Sequence, residues 1–343
     1  MTPANLKLPM VVACLTAAFM MPAAALSQEI DGTAKKKKAK EADGGEPRWV
    51  WSDANAPANC QHKTFTSATL GGREVSYLLW TPPGYAEREP ETRYPVAYFL
   101  HGGGGNYSHI PEAFLPQAEI AIRDGRVPPF LAIAVNGLPS SFYVDSRDGR
   151  EPVETILMEE LLPHVDATYP TNGARLIEGF SMGGRGATYL AFKYPDKFRG
   201  VADFAGAIHD WGFFSRMRVV ADRFEGESDF QAAWPFNLAK ANADKLRSSL
   251  PAGVLIVVGD RDTGRGNTYE WNLKLRDTLN ELMVANELLV VHGVRHSYAL
   301  LAQDERVADR HLAYYAAVFG ETSRGRAESG GEGDRRDAKK VDP

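Results

Sequence analysis

A chain of 343 residues with 44% hydrophobic and 24% charged residues can bury a large core, and one α/β domain of about 250 to 300 residues fits that length. The formal net charge of −5 gives no electrostatic basis for binding nucleic acid. With Cys14 and Cys60 as the only cysteines, a disulfide scaffold is excluded and the apolar core must hold the fold.

Residues 1–27 carry Lys7, the apolar stretch Leu8 to Met21, and then Pro22 to Ser27, with small residues at Ala25 and Ser27. This is the pattern of a signal peptide, and it predicts a secreted or periplasmic protein with no stable membrane insertion after cleavage. Pro22 and the polar residues after it speak against an uncleaved anchor. Val11, Val12, Ala13 and Cys14 resemble a lipobox, but the apolar region before Cys14 is very short and continues beyond it. Removal of this segment would leave Cys60 alone; no nucleophile turn surrounds it, and it reads as a structural thiol. Residues 28–46 set Lys35, Lys36, Lys37, Lys38 and Lys40 among Glu29, Asp31, Glu41 and Asp43, the composition of a disordered charged linker. Residues 321–343 read as a disordered tail, which leaves 47–320 as the folded domain.

Within that domain the elements alternate. Thr64 to Leu70 and Glu74 to Trp80 form a hairpin turning at Gly71 and Gly72, followed by strands at Val96 to Leu100 and Leu131 to Val135. Further strands are expected at Arg175 to Phe180, Gly200 to Phe204, Gly253 to Val258 and Leu288 to Val291. Helical periodicity is clearest in Val153 to Tyr169, Gly184 to Tyr194, Thr268 to Ala285 and Leu300 to Phe319. The pattern predicts an α/β fold with a mostly parallel, doubly wound sheet flanked by helices. Trp211 to Leu250 fits no such alternation and is expected to be an inserted lid.

Gly179, Phe180, Ser181, Met182 and Gly183 join a buried strand to a helix, the arrangement of a nucleophile elbow. Residues without Cβ two places either side let the strained serine stand exposed. Downstream, the apolar run Val254 to Val258 leads into Gly259, Asp260, Arg261 and Asp262, and Leu288 to Val291 leads into His292 and His296. The order serine, acid, histidine is that of α/β-hydrolases, and loops leaving the carboxyl ends of parallel strands converge on one edge. For the acid, Asp262, Asp260 and Asp203 are all placed at strand ends. For the base, His296 stands in a loop, whereas His292 closes an apolar run and reads as a packing residue. The loop His101 to Asn106 offers unobstructed amides, so Gly103 and Met182 are assigned as donors to a developing oxyanion. A turn serving only chain reversal is the bland alternative, and His101 itself reads as structural. The sequon Asn106, Tyr107, Ser108 beside this loop is treated as accidental, because a glycan there would obstruct entry.

Thr81 to Tyr85, Arg93 to Val96 leading to His101 and Gly102, Glu159 to Pro163, Gly179 to Gly184, Tyr194 to Phe198, Gly259 to Asp262, and Gly293 to Ser297 together resemble the putative-esterase family of α/β-hydrolases. That family includes esterase D, feruloyl esterases, enterochelin esterase and the antigen 85 mycolyltransferases. The resemblance implies the α/β-hydrolase fold, maps the acid of Gly-x-x-Asp onto Asp262, and maps the base of Gly-x-x-His onto His296. Tyr298 departs from the tryptophan that many members carry after the His-Ser pair.

The function so implied is a secreted serine esterase acting on an acylated carbohydrate, feruloyl or acetyl, or another small ester. S-formylglutathione hydrolysis fits poorly with export, since that chemistry uses an intracellular thiol ester. An acyltransferase of the mycolyltransferase type and a non-catalytic binding protein on the same scaffold are the alternatives. Trp211, Phe213 and Trp234 are candidates for an aromatic substrate pocket. The histidines show no metal-binding spacing, and the chemistry requires no cofactor.

Overall fold

The computed structural model describes residues 47–329, apart from 52–56, 58, 106, 108 and 265. The signal-peptide and linker segments and residues 330–343 lie outside the described residues. Eight strands form one sheet: β1 (Cys60–Ser67), β2 (Arg73–Trp80), β3 (Tyr94–Leu100), β4 (Leu131–Val135), β5 (Thr171–Phe180), β6 (Gly200–Phe204), β7 (Val254–Gly259) and β8 (Asn286–Val291). Their order is β1-β2-β4-β3-β5-β6-β7-β8. The β1–β2 and β2–β4 pairs are antiparallel and the remainder parallel.

The parallel strands are buried on both faces, which is why they read as unbroken apolar runs rather than alternating ones. On β3, Val96, Tyr98 and Leu100 pack on one side with the elbow helix Met182–Lys193, while Ala97 and Phe99 pack on the other with the helix His109–Arg123 and the terminal helix. The hairpin turn is wider than the sequence suggested: β1 ends at Ser67, and Gly72 N–H donates back to Ser67 O. Gly71 and Gly72 both take positive φ there.

Three elements differ from the expectation. The helix His109–Arg123 buries Ile110, Phe114, Leu115, Ala118 and Ala121, a helical stripe that Pro111 and Pro116 disguise in the sequence. The stretch Val153–Thr155, Ile156–Leu161 and Leu162–Thr168 is continuous helix whose middle segment is π-helical. The terminal helix runs Glu305–Ser329, a correction to the tail expected from residue 321. A helix already nucleated by its buried half extends through charged residues at little cost. Between β6 and β7 the expected insertion is a set of short helices from Trp211–Phe214 to Ala243–Ser249, with Phe214, Phe230, Phe236 and Leu246 buried in the core.

Candidate active site

Ser181 follows β5 directly and opens the elbow helix with φ 57° and ψ −113°, a left-handed conformation that only tight surroundings sustain in a serine. Those surroundings need glycine. A Cβ on Gly179 would overlap the Gly183 backbone, one on Gly183 the Leu100 carbonyl, and one on Gly184 the Asp203 carboxyl. The backbone on either side is tied down, with Ser181 N–H donating to Phe204 O and Ala207 N–H donating to Ser181 O.

His296, in the loop after β8, lies 2.7 Å from Ser181 Oγ through Nε2 and 2.6 Å from Asp262 Oδ2 through Nδ1. Asp262, after β7, is buried, so its carboxylate is held for the imidazole rather than for solvent. Of the other strand-end residues considered, Asp260 bonds His292 Nδ1 at 2.6 Å and receives the Gly293 N–H at 2.8 Å, on the exposed surface. These contacts, the backbone amide first, hold its carboxyl below the usual range. Asp203 lies fully buried against Gly184 and Gly206, and burial pushes its carboxyl up to about 7. His292 is exposed rather than packed, because the strand ends at Val291 and the histidine begins the turn.

The glycine loop after β3 is braced from beneath. His101 is buried, receives the Gly137 N–H on Nε2 at 3.2 Å and carries its proton on Nδ1, 2.9 Å from Gly102 O. Tyr143 Oη donates to His101 O at 3.1 Å, its ring wedged where a Cβ on Gly137 or Gly186 would stand. The Gly104 and Gly105 amides donate to Pro139 O and Gly102 O, and a Cβ on Gly103 would stand 3.9 Å from that of Met182, the first residue of the elbow helix. The first helical N–H groups have no acceptor within their helix, which makes Met182 a natural anion donor.

A cavity of about 400 Å³ adjoins these atoms, bounded by Gly103, Ser181, Met182, His296 and an aromatic wall of Phe142, Phe213 and Phe214. Of the three aromatic candidates, Phe213 lines this cavity. Trp211 and Trp234 do not line the cavity: Trp211 packs on Phe230, while Trp234 packs on Phe236 and donates its Nε1–H to Ile208 O. A single helical turn cannot point Trp211 and Phe213 to one side.

Sequence reasoning missed three residues around this cavity. His209 lines it, buried beside Phe213, and burial pushes its imidazole down to about 4, so it is neutral at physiological pH. Tyr143 has no sequence signal beyond its glycine partners. Arg185, one turn below Ser181, is fully buried among the rings of Phe142, Tyr189, Phe214 and Phe230 at 5.6 to 5.8 Å. Its place in the elbow helix is legible from the sequence, but not its burial. Cys60 is part-buried, and burial, with Glu112 nearby, pushes its thiol up to about 12, which leaves it unreactive.

Among proteins of known kind, an endo-1,4-β-xylanase/feruloyl esterase of Xylanibacter ruminicola is 31% identical over 150 residues, 41% of this chain and 20% of that protein. Esterase Rv1288 of Mycobacterium tuberculosis is 33% identical over 173 residues, 48% of this chain and 36% of that protein. The chain therefore spans about a fifth to a third of the length of these relatives. Among solved structures, a ferulic acid esterase superposes with a TM-score of 0.63 at 19% identity, covering 76% of this chain and 98% of its own. An S-formylglutathione hydrolase from Agrobacterium tumefaciens gives 0.58 at 18%, covering 77% and 98%. These two likenesses establish the α/β-hydrolase fold. The family model for putative esterases matches residues 67–321, a span that holds the elbow, both downstream loops and the glycine loop, and the chain belongs to the putative-esterase family.

Proposed function

We propose that the protein is an exported carboxylic ester hydrolase that works through an acyl-enzyme, with Ser181 as nucleophile, His296 as base and Asp262 as the acid that orients it. The observation that carries this reading is the continuous hydrogen-bond chain from Ser181 Oγ through both nitrogens of His296 to Asp262. As Ser181 attacks the ester carbonyl, its proton passes to His296 Nε2, and the Asp262 carboxylate stabilises the imidazolium through Nδ1–H. The carbonyl oxygen becomes negative between the Gly103 and Met182 amides, each worth about 10²- to 10³-fold in rate. Nε2 then returns the proton to the departing alkoxide. In the second half it takes a proton from water, whose attack frees the acid and restores Ser181.

For substrate, the reading favours an acylated carbohydrate with a feruloyl or comparable acyl group. Its supports are the aromatic wall of the cavity and the activity for which the xylanase/feruloyl esterase relative is named. Incubation of the full chain with acetyl, feruloyl and longer acyl esters should release free acid. Ser181→Ala should lower kcat by about 10⁶-fold. An undiminished rate in that variant would overturn the triad. Adding a sugar acceptor and assaying for new ester distinguishes hydrolysis from acyl transfer, which uses the same first half-reaction.

A further inference from the structure

A second cavity, of about 620 Å³, adjoins the triad cavity, and Gly103 borders both. Its apolar surface comes from Ile110, Ala113, Phe180 and Tyr298, and its polar groups from Glu112 and Gln303. Both of the latter are exposed. Glu112 stands in the first turn of His109–Arg123, and Gln303 ends the helix Tyr298–Gln303, which begins two residues after His296.

An ester held at Ser181 has two arms, and the triad cavity accounts for one. With the carbonyl oxygen between Gly103 and Met182, the acyl and alcohol arms leave the carbonyl carbon in different directions, and the alkoxy oxygen must lie within reach of His296 Nε2. The segment that follows His296 builds one wall of the second cavity, and Phe180, whose ring lies 4.7 Å from that of His296, builds another. The aromatic wall of Phe142, Phe213 and Phe214 belongs to the triad cavity instead.

We propose that the larger cavity is the alcohol subsite and takes a neutral, hydroxyl-rich alcohol, a sugar, with Glu112 and Gln303 hydrogen-bonding its hydroxyls. This assignment rests on the ester-hydrolase reading. A sugar ring presents C–H faces and a hydroxyl edge, which match a cavity of apolar walls with a carboxylate and an amide at its rim. The Glu112 carboxylate accepts from hydroxyls and repels an anionic alcohol at the same place. A volume of about 620 Å³ lies in the range that holds a ligand larger than methanol or ethanol.

The test compares two esters of one acid, the methyl ester and the ester of a neutral monosaccharide, in the full chain and in Glu112→Ala, Gln303→Ala and Ala299→Trp. The quantity read is the ratio of kcat/KM for the sugar ester to that for the methyl ester. It should exceed about tenfold in the parent and fall by about tenfold in each variant, because a hydroxyl left unpaired by the first two, or space filled by the indole of the third, weakens only the sugar arm. An unchanged ratio in all three variants, or a parent that prefers the methyl ester, would overturn the subsite. If the parent releases acid from neither ester, the hydrolase reading fails and the subsite with it, whereas methyl-ester turnover without sugar preference sinks the subsite alone.

Discussion

The ring of Phe180 lies against that of His296, with centroids 4.7 Å apart and planes inclined by 35°, so the residue before Ser181 in sequence supports the imidazole. Tyr298 packs on Phe180 and Phe204, at 5.9 and 5.0 Å. Phe180→Ala should therefore lower kcat for a small methyl ester by about tenfold with little change in KM, since a loosened imidazole affects the chemical step more than binding. Steady-state kinetics on the purified variant checks this. A change in KM alone would assign Phe180 to binding.

Two carboxylates stand two residues apart, and only Asp262 meets His296. Asp262→Asn should lower kcat by about 10⁴-fold, because the amide cannot hold the productive tautomer of His296. Asp260→Asn, whose partner His292 is on the surface, should change kcat less than about threefold. Assaying both variants side by side decides between the two acids.

The elbow glycines differ in what their surroundings permit. Gly183→Ala would drive a methyl group into the Leu100 carbonyl and should cost more than about 3 kcal/mol, seen as loss of folded protein or a large drop in Tm. Gly103→Ala meets nothing nearer than 3.9 Å and should fold normally. Thermal unfolding of the two variants makes the comparison.

Asp203 gives a pH signature. Its carboxyl is raised by burial to about 7 from the ordinary 3.8, so the folded state binds more protons than the unfolded between those values. Stability from this group is therefore present below pH 3.8 and is lost as pH rises through about 7. Asp203→Asn removes the ionisation, so the Tm difference between variant and parent should move in the variant's favour by about 5 °C from about pH 5 to about pH 8. A difference independent of pH would show that Asp203 stays ionised.

Beneath the elbow, Glu178 on β5 and His311 on the terminal helix are both buried and bonded at 2.7 Å, with Tyr315 donating to the same carboxylate at 2.9 Å. His311→Leu would leave the carboxylate without its main partner and should cost about 3 to 5 kcal/mol, whereas the pair Glu178→Leu with His311→Leu should recover much of that loss. Denaturant unfolding of the single and double variants checks it, and additive losses would mean the two residues do not act as a pair.

The strands were legible because both faces of a parallel sheet are buried, so Val96 to Leu100, Leu131 to Val135 and Val254 to Val258 stand out as continuous apolar runs. The helix His109–Arg123 was hidden by Pro111 and Pro116, residues that usually break the pattern by which a helix is read. Among aromatic residues near the site, composition could not separate Phe213, at the cavity, from Trp211 and Trp234, which pack elsewhere.

The sequence alone determined the alternation of strands and helices, the glycine-flanked Ser181, and the chain order of serine, acid and histidine, because each is a local pattern with a local physical cause. Only the tertiary structure decided that Asp262 rather than Asp260 or Asp203 meets His296, that Tyr143 and His101 brace the glycine loop after β3, and that two cavities border Gly103. Those relationships join residues far apart in the chain, and they exist only once β3, β5, β7 and β8 lie in one sheet and their carboxyl-end loops meet on one edge.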